Sequence, residues 1–180
     1  ERIHTEYDAV FFSTGLPNPY QINVEGEDHP RVLSGLKVLD DVTKGRDPGV
    51  GKRIAVIGGG NVAMDAARTC RRYGVDVTIL YRRRIVDMPA DTEEVEEADA
   101  EGVHLVPQAI PVRIEYVDGA PDADGARDGA APTQVSITWG EAVMEDQGPG
   151  QRPKPVLQED KLHTEIYDSI ISAIGQDADY

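Results

Sequence analysis

Three small residues in the middle of the chain have the spacing of a dinucleotide-binding turn. Gly58, Gly60 and Ala63 follow an apolar segment and open a helical pattern, as that fingerprint requires. The first glycine permits a tight bend, the second lets the backbone approach a pyrophosphate, and Ala63 lets helix and strand pack closely. Unpaired N–H groups at the positive end of the helix would hold the phosphates. The pattern predicts cofactor contacts at Gly58, Gly59, Gly60, Asn61 and Val62. A glycine turn without a ligand is the alternative.

Arginines stand about 20 residues past the glycines, where an NAD site usually places an acid. The second strand of the unit ends in Tyr81, Arg82, Arg83 and Arg84. Guanidinium groups there would pair with a 2′-phosphate, and charge-assisted hydrogen bonds contribute about 1.5–3 kcal/mol each. We therefore expect Tyr81, Arg82 and Arg83 to contact the cofactor, with NADP(H) preferred over NAD(H). Alternatively, the arginines offset the acidic helix that follows, an interpretation that applies most to Arg84.

Other chemical patterns in the chain are less specific. Asp65 lies one turn inside the helix, where it either faces the nicotinamide or is a solvated carboxylate favoured by the helix dipole. Lys52 follows a glycine, but Arg46 and Arg53 stand where a phosphate loop needs a glycine and a Ser or Thr. A methyltransferase would also use a glycine turn, but it usually has an acid where this chain has arginines.

The elements that position these residues follow from hydrophobic periodicity. Residues 53–57 and 75–80 are predicted strands that flank a helix at 61–73, and together they form a βαβ unit. Apolar residues at helical spacing predict an amphipathic helix at 32–44. Residues 92–101 are predicted to form a helix with a solvated acidic face.

Further along the chain the pattern changes to strands. Residues 103–106 predict one strand, and residues 112–117 and 134–139 alternate apolar and polar positions as an antiparallel hairpin would. Two stretches rich in Gly, Pro and Asp, 118–132 and 145–155, are predicted surface loops.

A short pattern occurs twice and suggests how the chain is organised. Residues 7–15 and 167–175 both begin with Tyr-Asp, continue as an apolar run and end in glycine. The first copy predicts a buried strand at 10–12. Because the βαβ unit lies between the copies, we expect a nucleotide domain at 32–180 inserted into another domain, to which 1–31 belongs or leads. Chance repetition is the alternative.

Composition restricts the partners. With 33 acidic and 18 basic residues, the net charge of −15 opposes binding to nucleic acid or anionic lipid. The single cysteine, Cys70, excludes a cluster built from several thiolates of this chain, and the four histidines have no ligand spacing, so no metal site is predicted. No apolar run is long enough to span a bilayer, and no signal sequence opens the chain, so we expect a cytoplasmic protein.

The order of these motifs resembles the glutamate synthase small-subunit family, within the pyridine nucleotide-disulphide oxidoreductase-like flavoproteins. The resemblance rests on residues 57–65, on Leu80 to Arg83 followed by Met88-Pro89, and on residues 173–176. It implies an NADP(H) domain inserted into an FAD domain of the same parent chain. Hydride would pass from NADPH to FAD and onward to an iron–sulfur domain or a partner subunit.

The resemblance also implies roles for individual residues. Gly58, Gly60 and Asn61 would hold the pyrophosphate, Arg82 and Arg83 the 2′-phosphate, and Ala173, Ile174 and Gly175 would line the cofactor cleft. The chain lacks a second glycine fingerprint for FAD and a cysteine-rich region. We therefore expect FAD to bind mainly outside this chain, which alone would bind NADP(H) without turnover.

The predicted fold is an α/β Rossmann-type three-layer domain with a parallel sheet, flanking helices and a small antiparallel β-meander. The expected function is NADPH binding in an FAD-dependent oxidoreductase. A non-catalytic nucleotide-binding or regulatory module that docks on a partner protein is the alternative. An FAD fingerprint upstream in the parent gene would favour the enzyme.

Overall fold

A sheet of five parallel strands forms the centre of the fold. The computed structural model describes residues 6–11, 15–16, 18–117 and 134–177 of the 180-residue chain. In spatial order the strands are β2 (Val32–Ser34), β9 (Ser169–Ser172), β3 (Arg53–Ile57), β4 (Asp76–Tyr81) and β5 (His104–Pro107). The last of these strands along the chain, β9, thus lies between the first two.

Helices cover one face of this sheet: α1 (Gly35–Thr43), α2 (Asn61–Arg72) and α3 (Thr92–Ala100). Ile54 and Val56 of β3 point toward them, and α2 presents Ala63 and Ala67 to the same apolar cluster. Full burial of a branched aliphatic side chain contributes about 1.5–3 kcal/mol, and the small alanines let α2 approach the sheet closely. None of the described helices has the length and apolar composition of a membrane-spanning segment.

An antiparallel meander covers the opposite face. Its strands are β6 (Ala109–Tyr116), β7 (Val135–Glu145) and β8 (Lys154–Tyr167), in that spatial order. Ala55 and Ile57 alternate with the helix-facing residues of β3 and pack against Ile137 and Trp139 of β7. The three layers confirm the predicted fold class, and pairing of β6 with β7 confirms the predicted hairpin.

Several predicted boundaries change in the structure, and the strands predicted at 112–117 and 134–139 are both longer than expected. The helix predicted at 32–44 begins only at Gly35, because Val32–Ser34 pair in parallel with β9. The predicted loop at 145–155 is shorter, since β7 ends at Glu145 and β8 begins at Lys154. The other predicted loop, 118–132, lies outside the described residues.

The two copies of the Tyr-Asp pattern have different structures. The prediction of a buried strand at 10–12 is wrong for Val10 and Phe11, which lack regular structure and are 38% and 92% exposed. No strand of the described part of the chain pairs with them, and a strand without a neighbour leaves its backbone groups unbonded. Phe12 lies outside the described residues. The second copy does lead into a strand, the buried β9.

Asp168, in the second copy, has a structural role. Its carboxylate accepts hydrogen bonds from the backbone N–H groups of Lys52 at 2.7 Å and Arg53 at 3.0 Å. The side-chain amide of Gln134 donates to its other oxygen at 3.1 Å. Asp168 therefore fixes the start of β3 beside the end of β8.

The acidic face of α3 pairs with α2. Arg68 contacts the carboxylates of Glu94, Glu97 and Glu101, and Arg72 also binds Glu101. Hydrogen bonds from Arg72 and Arg68 hold the pKa of Glu101 below its usual range. α2 thus neutralises part of the acidic residues, while Glu93, Glu96 and Asp99 are exposed, without an ion pair to a described residue, and form the predicted solvated face.

The segment before β2 lies against the rest of the chain. β1 (Asn18–Pro19) pairs antiparallel with β10 (Gln176–Asp177), and Ile22 and Val24 pack against the apolar cluster of the meander. The domain boundary at residue 31 stays a prediction.

Within this segment His29 is buried without a full set of hydrogen bonds. It is 2% exposed, and its Nδ1 accepts a hydrogen bond from the Arg31 backbone N–H at 3.0 Å. Its Nε2 has no hydrogen-bond partner among the described residues, and its ring lies 4.0 Å from that of Tyr116. Burial, followed by the positive charge of Arg31, lowers the pKa of His29, against the opposing effect of Asp28.

We expect His29 to make the fold less stable in mild acid. A histidine whose pKa is lowered by folding takes up its proton more readily when unfolded. Above pH 6.5, the ordinary pKa of this group, His29 is neutral in both states and the fold keeps its full stability. As the pH drops through that value, the unfolded chain takes up a proton more readily than the folded protein, and the free energy of unfolding falls. The free energy of unfolding, measured in urea at pH 7.5 and at pH 5.5, should fall less between these two pH values for His29→Gln than for the wild type. Equal losses would contradict this assignment.

Candidate functional site

The glycines of the turn between β3 and α2 have different roles, because only some of them are required by the packing of the turn itself. Gly58 has a φ of +147°, and a Cβ there would lie 2.2 Å from the carbonyl oxygen of Ala173. That carbonyl cannot easily move, because the Ala173 N–H is bonded to the Ile57 carbonyl at 2.9 Å. Gly58 is therefore required by the close approach of the chain after β9.

Gly59 and Gly60 differ in their surroundings. A Cβ on Gly59 would lie 2.5 Å from the ring of Tyr81, so this glycine is required for packing. A Cβ on Gly60 would meet only Pro89, at 3.8 Å, and its φ of −95° suits any residue. The space above Gly60 is open, which fits the close approach of a ligand to the backbone.

The amino end of α2 carries no acidic residue in its first turn and no side-chain cap from the described residues. The side chain of Asn61 is engaged elsewhere, since its amide donates to the Asp91 carboxylate at 3.1 Å and accepts from the Asp91 backbone N–H at 3.0 Å. The side chain of Asn61 is therefore held by Asp91, which leaves one N–H of its amide and its backbone for a phosphate. The positive end of the helix dipole favours an anion there.

These residues line a cleft of about 1030 Å³ at the carboxyl edge of the parallel sheet. Residues 58–62, 81–83 and 173–175 all lie in its lining, so the structure brings together every predicted site residue except one. Asp65 is exposed on α2 and lies outside the lining. The cleft geometry gives Asp65 no role.

The arginines after β4 have separate environments. Arg82 is exposed in the cleft and has no hydrogen bond or ion pair to any described residue. Arg83 also lines the cleft, and its Nε donates to the Pro153 carbonyl at 3.1 Å. Arg84 turns to Asp87, with two hydrogen bonds of 2.7 and 3.0 Å. Neither Arg82 nor Arg83 forms an ion pair with the acidic residues of α3.

Tyr81 has a structural role in the cleft. It is 6% exposed, its hydroxyl donates to the Asp87 carbonyl at 2.8 Å, and its ring lies under Gly59. Its position fixes both the glycine turn and the segment after β4.

The far wall is formed by the turn after β9 and the segment before β2. The Tyr20 N–H donates to the Gly175 carbonyl at 3.0 Å, and a Cβ on Gly175, whose φ is +121°, would lie 3.0 Å from the Tyr20 ring. Ile174 is 39% exposed beside them. Ala173, Ile174 and Gly175 thus lie in the cleft, as the resemblance implies.

Sequence reasoning missed part of the lining. Tyr20, Gln21 and Asn23 contribute from the segment before β2, and Arg152 contributes from the connection between β7 and β8. That connection gave no motif, because it lies in a stretch rich in Gly, Pro and Gln. The isolated arginine within it was the available signal.

Thiol and metal chemistry have no support in the described part of the chain. Cys70 is 2% exposed within α2, and burial raises its thiol pKa to about 11. No group of three or more His, Cys, Asp or Glu side chains there is arranged to hold a metal ion.

Comparison with known proteins decides the family. Residues 1–179 match the profile of the pyridine nucleotide-disulphide oxidoreductase family. The chain belongs to this family. Membership confirms the expected enzyme class, a domain of an NAD(P)-dependent flavoprotein oxidoreductase.

Relatives within this oxidoreductase family confirm the resemblance to the glutamate synthase small subunit. The beta subunit of NADPH-Fe(3+) oxidoreductase from Geobacter sulfurreducens is 36% identical over 183 residues, which cover 99% of this chain and 25% of the relative. The small chain of the NADPH glutamate synthase of Escherichia coli is 38% identical over 135 residues, which cover 68% of this chain and 28% of the relative. The chain thus spans about a quarter of the length of these relatives.

A solved structure shares the fold. Thioredoxin reductase from Lactococcus lactis superposes with a TM-score of 0.60 over 88% of this chain and 42% of that structure, at 20% sequence identity. The superposition supports the Rossmann-type arrangement of this oxidoreductase domain.

Proposed function

We propose that this chain is the NADP(H)-binding domain of a flavoprotein oxidoreductase of the glutamate synthase small-subunit type. The observation that carries the proposal is the cleft in which the glycine turn and the free guanidinium of Arg82 meet. Both relatives described above carry NADPH in their names.

Each part of the cleft suits one part of the dinucleotide. The open backbone at Gly60 and the amino end of α2 would hold the pyrophosphate, with Gly58 and Gly59 shaping the turn. Arg82 and Arg83 would bind the 2′-phosphate, because guanidinium groups form paired hydrogen bonds with phosphate oxygens.

The turn after β9 would form the wall of the cleft at the nicotinamide end of the cofactor. Ala173, Ile174 and Gly175 form this wall together with Tyr20, whose ring and N–H fix Gly175. Bound NADPH would supply a hydride to FAD held mainly outside this chain, while the chain itself binds and orients the donor.

The proposal extends to the parent protein. The FAD domain of the same parent chain is the expected neighbour, and an iron–sulfur domain or a partner oxidoreductase subunit is the expected onward electron acceptor. The names of the two relatives describe a subunit and a small chain, which supports such an assembly. A cytoplasmic location stays a prediction.

Parallel calorimetric titrations of the protein with NADPH and NADH test the cofactor assignment. We expect NADPH to bind more tightly by about tenfold or more, the effect of at least one charge-assisted hydrogen bond to the 2′-phosphate. Loss of flavin absorbance on anaerobic addition of NADPH to the FAD-containing parent protein tests the hydride transfer. Equal affinities for NADPH and NADH would contradict the cofactor assignment. Binding of NADPH without reduction of the flavin would favour a non-catalytic module.

A further inference from the structure

Most arginines of the described chain are neutralised by carboxylates. Ion pairs with Asp or Glu involve Arg46, Arg53, Arg68, Arg72, Arg84 and Arg113. No described carboxylate forms an ion pair with Arg82, Arg83 or Arg152, although the chain has 33 acidic and only 18 basic residues. All three of these arginines line the same cleft. Their convergence without a protein anion indicates a place for an external one.

The connection that carries Arg152 is held beside the cleft by a chain of hydrogen bonds between the two sheets. The Arg83 Nε donates to the carbonyl of Pro153, the next residue after Arg152. The Arg83 carbonyl accepts the Gln108 N–H at 2.9 Å, and Gln108 is bonded to Ala142 of β7 through two hydrogen bonds of 2.7 Å. The connection between β7 and β8 is therefore fastened to the end of β4, which brings Arg152 to the cleft.

We propose that Arg152 binds the 2′-phosphate of NADP(H) together with Arg82, so that the antiparallel meander contributes to cofactor selectivity. This inference rests on the proposed function of the cleft. A phosphate monoester carries a charge of about −1.5 to −2 at neutral pH, which one guanidinium does not neutralise. Since the Nε of Arg83 is held by Pro153, only its Nη groups are left for a phosphate, and Arg152, whose guanidinium has no described partner, would add to the charge that Arg82 and Arg83 supply.

The test compares single variants by their affinities for NADPH and NADH. Arg152→Ala should lower the preference for NADPH by about tenfold or more, with NADH affinity changed less than about twofold. Lys154→Ala is the matched control, because Lys154 is exposed at the first residue of β8 and lies outside the cleft lining. It removes one positive charge from the same region and should leave the preference unchanged. Adenosine 2′,5′-bisphosphate, used as a competitor, should lose affinity in parallel with NADPH.

The outcomes separate this inference from the proposed function. If Arg82→Ala lowers the preference and Arg152→Ala does not, the role of Arg152 is wrong while the NADP(H) site stands. If Arg152→Ala weakens NADPH and NADH equally, Arg152 contacts a shared part of the cofactor and the 2′-phosphate inference is overturned. A wild-type protein without any preference for NADPH would overturn both.

Discussion

Replacing Gly60 by alanine is expected to leave the fold intact and to lower the affinity for NADPH and NADH alike. The new methyl group would meet only Pro89, at 3.8 Å, and the backbone angles at this position suit alanine. The methyl group would lie in the cleft, where the pyrophosphate is proposed to approach the backbone. We expect a loss of affinity of about tenfold or more for both cofactors. Calorimetry and thermal unfolding of the same preparations measure the two effects.

Gly58→Ala is the matched comparison with the opposite expectation. Its Cβ would lie 2.2 Å from the Ala173 carbonyl oxygen, at a φ of +147° that alanine rarely adopts. Backbone strain and overpacking each cost about 1–3 kcal/mol, so Tm should fall by roughly 5–20 °C. If Gly60→Ala lost as much stability, or bound both cofactors normally, the proposed division of roles within the turn would be wrong.

Arg82→Ala should weaken NADPH binding by about tenfold to a hundredfold and leave NADH binding nearly unchanged. Its guanidinium is exposed in the cleft with no described partner, so its removal breaks no internal ion pair. The difference in binding free energy between the two cofactors therefore isolates the 2′-phosphate contact. Isothermal titration at low salt provides this difference, and the contact should weaken as salt is raised.

Arg84→Ala is the control for charge at the same strand end. Arg84 is paired with Asp87 and lies outside the cleft lining. Its removal should leave the preference for NADPH within about twofold of the wild type, as expected for a surface ion pair. A similar loss for NADPH and NADH in Arg82→Ala would contradict the assignment of Arg82.

The sequence could predict much of the cleft lining because those residues are close together in the chain. The glycine turn, α2 and the end of β4 come from one continuous stretch, in which hydrophobic periodicity and glycine spacing agree. Arg152 could not be found in this way, because its approach to the cleft depends on the bond between Arg83 and Pro153. No local pattern encodes that contact.

The errors in the fold have the same physical origin. Val32 and Leu33 suit a helical pattern, but pairing with Ile170 and Ile171 makes them a strand. β8 was missed because much of it is exposed and polar, so its residues carry no clean alternation. The apolar run at Val10 and Phe11 predicts a buried strand, but no strand among the described residues pairs with it.

The position of β9 also constrains how the protein can fold. β2 is joined to the sheet through β9, and β9 in turn pairs with β3. During synthesis β2 and α1 would therefore leave the ribosome before β9, and β2 could not join the sheet until the residues after Asp168 had emerged. Such long-range pairing raises contact order and slows folding. The cleft, whose wall includes Ala173 to Gly175, can assemble only when the residues through Gly175 are available, so nascent chains should not bind cofactor before that point.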